Sequence, residues 1–119
     1  MERKHRHVII TATVDRPPTD QQTIEQWMVD AIHSVDMKVV SGPHSYHSDI
    51  PGNEGWTTTA VLDFSHSAMH VWDRFEQPLI EFDLFSCKDF DSQGIIKRLD
   101  EAFGIRKFHL REFVRKVDG

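Results

Sequence analysis

The stretch FSHSAMHVWD, residues 64–73, places a serine at a bend, two histidines four apart and a tryptophan within ten residues. A serine hydroxyl is a nucleophile once activated, and a histidine can carry its proton near neutral pH. His66 and His70 also have the four-residue spacing that metal ligands use on a helix. Here the flanking residues read as bend and strand, and no third ligand follows at a recognisable interval, so no metal site is expected. Cys87, alone at the end of an apolar strand, reads as a small buried hydrophobe. Ser65 alone is an ordinary bend serine. The set Ser65, His70, Cys87 and Thr57 acquires meaning only as a group.

The elements that must position this group follow from periodicity. HVIITATVD (7–15) is β-branched and apolar, a buried strand broken by RPPTD. Thr19 and Gln22 have capping-box spacing ahead of a helix with Ile24, Trp27, Met28, Ala31, Ile32 and Val35 at helical intervals. MKVVSGPHSYH predicts a second strand ending near Gly42–Pro43, and SDIPGNEG a loop. WTTTAVLD (56–63) and AMHVWD (68–73) predict neighbouring strands around a bend at Ser65, and LIEFDLFSC (79–87) another strand. Asp91 is the expected N-cap of a second helix, with Phe90 stapled on Ile95 and Gly104 as its stop. A last strand, about 105–114, closes a β-α-β-β-β-β-α-β order. Both helices can lie on one face of an antiparallel sheet, giving an α+β two-layer sandwich over residues 1–119 as one domain.

Bulk properties narrow the classes. Hydrophobic residues make up 39% and charged residues 28% of 119 residues, which suits one soluble domain. A net charge of −5 argues against non-specific binding to nucleic acid or an anionic membrane, so neither is an expected partner. No stretch approaches the ~20 apolar residues of a membrane span. A single cysteine excludes an internal disulfide and fits a reducing, cytoplasmic compartment.

Strand alternation sorts the faces. Ile80, Phe82 and Leu84 point toward the helices, and Glu81, Asp83, Phe85 and Cys87 away from them. His70 and Trp72 share a face with Ala68, and Thr57 and Thr59 with Val61. If register joins these sets, the helix-free face carries His70, Cys87, Thr57 and Trp72. Such a mixed aromatic and polar face is expected to pack on a second copy in a homodimer.

SHSAMHVW followed by FDLFSC resembles the Ser-His-x-x-x-His-x-Trp and Asp-apolar-Phe-x-Cys motifs of prokaryotic-type S-adenosylmethionine decarboxylases. RHVIITATV, the first helix and the final helix–strand unit fall in the matching order. The resemblance implies a chain that cuts itself. Ser65 attacks the carbonyl carbon of Phe64, an N→O acyl shift makes an ester, and β-elimination leaves a dehydroalanine that hydrolyses to a pyruvoyl group. That cofactor condenses with the substrate amine and takes up electrons as CO₂ leaves. By the same match His70 moves the proton in processing and Cys87 reprotonates the substrate carbon. Thr57 stands where the family usually has a serine that assists processing. Tyr46 would stack on adenine, with Trp72 as a second substrate-binding residue. The implied substrate is S-adenosylmethionine, decarboxylated for spermidine synthesis.

The chain departs from that pattern at three places. Phe64 replaces the usual glutamate, Asp73 the usual proline, and the segment between Trp72 and Cys87 is about two residues longer. The acyl shift needs Ser65 and a strained peptide, so Phe64 does not forbid it. A plain amino acid such as ornithine or arginine is the neighbouring substrate reading. The reading of a different class is a non-cleaving homologue that binds a nucleoside-like ligand or regulates a partner.

Overall fold

The computed structural model describes residues 2–118, with side chains over residues 4–116. Strand β1 (Glu2–Val14) leads to helix α1 (Gln21–Ser34), then to β2 (Val39–Ser48), β3 (Gly55–Leu62), β4 (Ser65–Trp72) and β5 (Leu79–Ser86). Helix α2 (Ser92–Phe103) and strand β6 (Ile105–Asp118) complete the chain. The six strands form one sheet in the order β2-β3-β4-β5-β1-β6, every neighbouring pair antiparallel. The expected α+β sandwich and its element order are thus what the chain adopts.

Alternation along the strands builds the core. Val8, Ile10, Ala12 and Val14 of β1, Ile80, Phe82 and Leu84 of β5, and Met69 and Val71 of β4 are buried against Ile24, Met28 and Ile32 of α1 and Ile95, Ile96 and Leu99 of α2. Phe82 is fully buried and meets the Trp27 ring edge-on, centroids 5.4 Å apart. Burying one such side chain contributes about 1.5–3 kcal/mol. Thr58, Ser67 and Ser86 of the strands, and Ser92 at the start of α2, are buried as well. Ser67 donates to the Asp83 carbonyl at 2.8 Å. Thr58 bonds Ser45 at 2.8 Å, and Ser45 donates to Glu25 at 2.6 Å, linking β3, β2 and α1. No helix among the described residues is long and apolar enough to cross a membrane.

Several boundaries differ from the sequence expectation, each for a local reason. Asp20, not Thr19, caps α1: its carboxylate accepts from the Thr23 N–H at 2.8 Å and from the Thr23 hydroxyl at 2.9 Å. Those bonds hold its pKa below the ordinary value, the Thr23 backbone bond being the largest cause. Thr19 instead presents its carbonyl to the Trp56 indole N–H at 3.2 Å. Strand β2 does not stop at Gly42–Pro43 but runs on to Ser48, with register shifts on either side of Ser41. An edge strand tolerates a proline because one row of its N–H groups needs no partner, and β2 is that edge. Strands β1 and β6 run longer than expected because they pair with each other from Glu2↔Asp118 to Val14↔Ile105. Asp91 does cap α2, Gly104 ends it in the left-handed region at φ +69, and Phe90 is buried in the same cluster as Ile95.

Candidate active site

The bend expected at Ser65 lies one step earlier. Leu62 pairs with Ser65, so Asp63 and Phe64 form a two-residue turn and Ser65 opens β4. Phe64 sits there with φ +59 and 86% of its surface exposed. A β-carbon is disfavoured in that left-handed region by roughly 1–2 kcal/mol. The peptide bond joining Phe64 to Ser65 is therefore held at a strained corner of a tight hairpin.

That corner borders a cleft of about 310 Å³ at the end of the sheet. Three segments meet there: the turn after α1 with Asp36, Met37 and Lys38, the hairpin with Asp63, Phe64 and Ser65, and the end of β5 with Ser86, Cys87 and Lys88. Among the described residues, Asp36 (φ +59) and Phe64 are the non-glycine residues with positive φ, and both line this cleft. The Cys87 thiol donates to the carbonyl oxygen of Phe64 at 3.3 Å. Cys87 is exposed, not the buried hydrophobe that its position at a strand end suggested. β5 ends at Ser86, which leaves the thiol free to turn toward the hairpin.

Thr57 and His70 occupy a different place. They face each other across β3 and β4, with 3.0 Å between the Thr57 hydroxyl and His70 Nδ1. Their register row runs Tyr46–Thr57–His70–Glu81–Thr11–His109 across all six strands, on the face that carries no helix. The His70 and Trp72 rings stack at 5.6 Å, and Phe75 continues the column at 6.0 Å from Trp72. Tyr46 is 68% exposed at the end of the row. So Thr57, His70 and Trp72 gather on the open face, as alternation led us to expect, and Tyr46 joins their row through its pairing with Thr57. Cys87, expected with them, lies past the end of β5 and turns to the hairpin cleft instead.

The structure does not bring the two groups together within one chain. Ser65 shares the alternation of buried Ser67, Met69 and Val71, whereas His70 shares that of Ala68 and Trp72 on the open face. Five residues of strand separate Ser65 from His70, roughly 17 Å at 3.3–3.4 Å per residue. His66 and His70 are likewise about 13 Å apart along β4, and His66 stacks on Phe85 at 5.3 Å. Among the described residues no group of three or more His, Cys, Asp or Glu side chains could hold a metal ion.

Sequence reasoning missed three neighbours of these sites. Lys88 lies in the cleft beside Cys87, Glu81 is the register partner of His70, and Phe75 extends the aromatic column. Glu81 was placed on the correct face, yet its pairing with His70 depends on register. Phe75 sits in a loop with no periodicity, and Lys88 carries no spacing signal at all.

The crystal structure of the adenosylmethionine decarboxylase from Aquifex aeolicus VF5 superposes on this chain with a TM-score of 0.69. It covers 93% of this chain and 89% of that one at 18% identity, a likeness of fold. No curated protein sequence matches. The S-adenosylmethionine decarboxylase family model matches residues 7–116, a span that takes in the strained hairpin, the cleft and the open-face row. The chain therefore belongs to the S-adenosylmethionine decarboxylase family.

Proposed function

We propose that this protein is a self-cleaving, pyruvoyl-dependent decarboxylase that acts on S-adenosylmethionine. The observation that carries the reading is the Cys87 thiol at 3.3 Å from the Phe64 carbonyl oxygen, the oxygen of the bond that would be cut. Attack by Ser65 Oγ on the Phe64 carbonyl carbon turns that oxygen into an oxyanion, and a donor already aimed at it lowers the barrier. As the C–N bond breaks, the proton from the Ser65 hydroxyl passes to the departing nitrogen, which becomes the Ser65 amine, and an ester joins Phe64 to the Ser65 oxygen. Loss of the Ser65 α-proton and cleavage of its Cβ–O bond release Phe64 as a carboxylate and leave dehydroalanine. Tautomerisation and hydrolysis of that residue expel ammonia.

The resulting pyruvoyl group supplies a carbonyl that condenses with an amine and withdraws electrons from the adjacent carbon. The residues fit it: Ser65, a chain terminus once cut, and Cys87 line the same cleft, so the thiol would hold and return a proton there. The aromatic column of Trp72 and Phe75, with exposed Tyr46, offers faces on which a purine can stack.

The unit that works is a homodimer packed through the helix-free face. Phe85, Val61, Phe113 and Trp72 lie on that face, and no helix covers them. A second copy would bury them and would also supply a distant Thr57–His70 pair to each Ser65, a contact that one chain cannot make. The test is the intact mass of freshly purified protein under denaturing conditions beside a Ser65→Ala variant. Two fragments parting at Phe64–Ser65 in the parent alone, with CO₂ released from S-adenosylmethionine, support the reading. An uncut chain after long incubation overturns it and favours the non-cleaving ligand-binding homologue. Release from ornithine or arginine instead would keep the chemistry and change the substrate.

A further inference from the structure

We infer that Lys88 is the positioning residue of the cleavage site, holding the Cys87 thiol against the Phe64 carbonyl. The inference rests on the self-cleavage reading, and its test below separates the two. Cys87 lies beyond the last residue of β5, so no ladder bond of its own fixes it. What fixes it is the segment Ser86–Lys88, pinned at both ends. On one side Ser86 is fully buried and its hydroxyl accepts from the Lys88 N–H at 2.9 Å. On the other, the Lys88 ammonium donates to the Asp36 carbonyl at 2.8 Å.

Asp36 follows Val35, the C-cap of α1, so this ammonium also sits where a helix end favours positive charge. The third side of the junction is closed by the Asp63 N–H, which donates to the Lys38 carbonyl at 3.3 Å. Thus Lys88 ties the thiol segment to the α1 turn, and Asp63 ties the hairpin to the same turn. The two tethers set the distance between Cys87 Sγ and the Phe64 oxygen. Donor placement matters steeply in such sites, because a misplacement of about 1 Å can cost roughly 100-fold in rate.

The test uses the full-length chain and two readouts. In an otherwise unaltered chain, Lys88→Met is expected to slow cleavage roughly 10- to 100-fold, with Lys88→Arg restoring most of the rate. The second readout needs no cleavage. A Ser65→Ala chain contains Phe–Ala only at 64–65, so ¹³C′-phenylalanine and ¹⁵N-alanine labelling gives a single carbonyl cross-peak there. Cys87→Ala should move that carbonyl resonance, Lys88→Met should move it the same way, and Lys88→Arg should leave it close to its starting place. A purely structural role would lower the melting temperature of Lys88→Met without this pattern. An unmoved resonance in Lys88→Met, or an unchanged cleavage rate in a parent that cleaves, overturns the assignment. A parent that never cleaves, with the resonance pattern as expected, would instead remove the self-cleavage reading and leave the positioning intact. Lys88→Leu, which likewise lacks a donor, stands in for Lys88→Met if that variant fails to fold.

Discussion

Cys87 donates its thiol hydrogen to the carbonyl oxygen of Phe64 at 3.3 Å, across 23 residues of sequence and two strands of sheet. The relationship exists because β4 and β5 run side by side, His66 opposite Phe85, so that the start of one and the end of the other share an edge. A thiol is a weak donor. It is nevertheless the side-chain donor that the structure aims at this oxygen.

Cys87→Ala should therefore slow cleavage by about 100-fold, the lower end of what loss of one oxyanion donor costs. Cys87→Ser keeps a donor on a shorter bond and should fall between. The measurement is the fraction of cut chain against time by intact mass. Equal rates in all three would show that this hydrogen bond takes no part in cleavage.

The separation of Ser65 from His70 gives a sharper prediction. Ser65→Ala cannot cut, and His70→Ala should cut slowly or not at all. In the proposed dimer, co-expression of the two chains should yield mixed pairs in which the His70→Ala chain keeps Ser65 and meets an intact Thr57–His70 pair on its partner. Cut His70→Ala chain should then appear, while the Ser65→Ala chain stays whole. A mixture that remains uncut would refute sharing of the site between copies. Thr57→Val, which deletes the hydroxyl 3.0 Å from His70 Nδ1, should slow cleavage less than His70→Ala.

How much of this was legible beforehand depends on the range of the interaction. Alternation in LIEFDLFSC and helical spacing from Ile24 to Val35 carried the core faces correctly, because each strand or helix reports its own buried side. Residue types place the bend at Ser65, one step late, since nothing in them announces that Phe64 takes a left-handed turn position, where glycine or asparagine is usual. Gly42–Pro43 reads as the end of β2, yet the strand runs on because an edge strand absorbs a proline that a central strand would not. The grouping of Ser65 with His70 was a statement about motif spacing. Strand geometry, five residues being an odd number, sets them on opposite faces.

The cap of α1 predicts a pH effect with a definite sign. Asp20 has its folded pKa lowered from the ordinary 3.8, chiefly by the Thr23 N–H. A carboxyl whose folded pKa lies below its unfolded one contributes stability above the unfolded value and loses it as pH falls through the folded one. Asp20→Asn keeps the cap but cannot titrate. The parent should thus lose stability relative to Asp20→Asn as pH drops below about 4, a range set by the carboxylate reference value. Melting temperatures of both, taken on the Ser65→Ala background between neutral and acid pH, provide the check. Parallel curves would mean that the cap does not titrate with folding.

The strain at Phe64 should trade stability against reactivity. A non-glycine residue at φ +59 costs roughly 1–2 kcal/mol, and glycine there avoids that cost while losing about 0.5–1 kcal/mol to greater freedom when unfolded. With 86% of Phe64 exposed, its removal empties no core space. On the Ser65→Ala background, Phe64→Gly should therefore raise stability by about 0.5–1 kcal/mol in the net. With Ser65 present, the same change should slow cleavage, because the relaxed peptide no longer starts part of the way toward the bent geometry of attack. Phe64→Glu restores the carboxylate that the family pattern leads one to expect, but keeps a β-carbon and hence the strain, so its stability should stay near that of the parent. The pair of variants separates two roles of position 64. If glycine slows cleavage and glutamate does not, backbone strain at the hairpin drives the reaction. If glutamate speeds cleavage while glycine leaves it unchanged, the side chain matters and the turn geometry is only a scaffold.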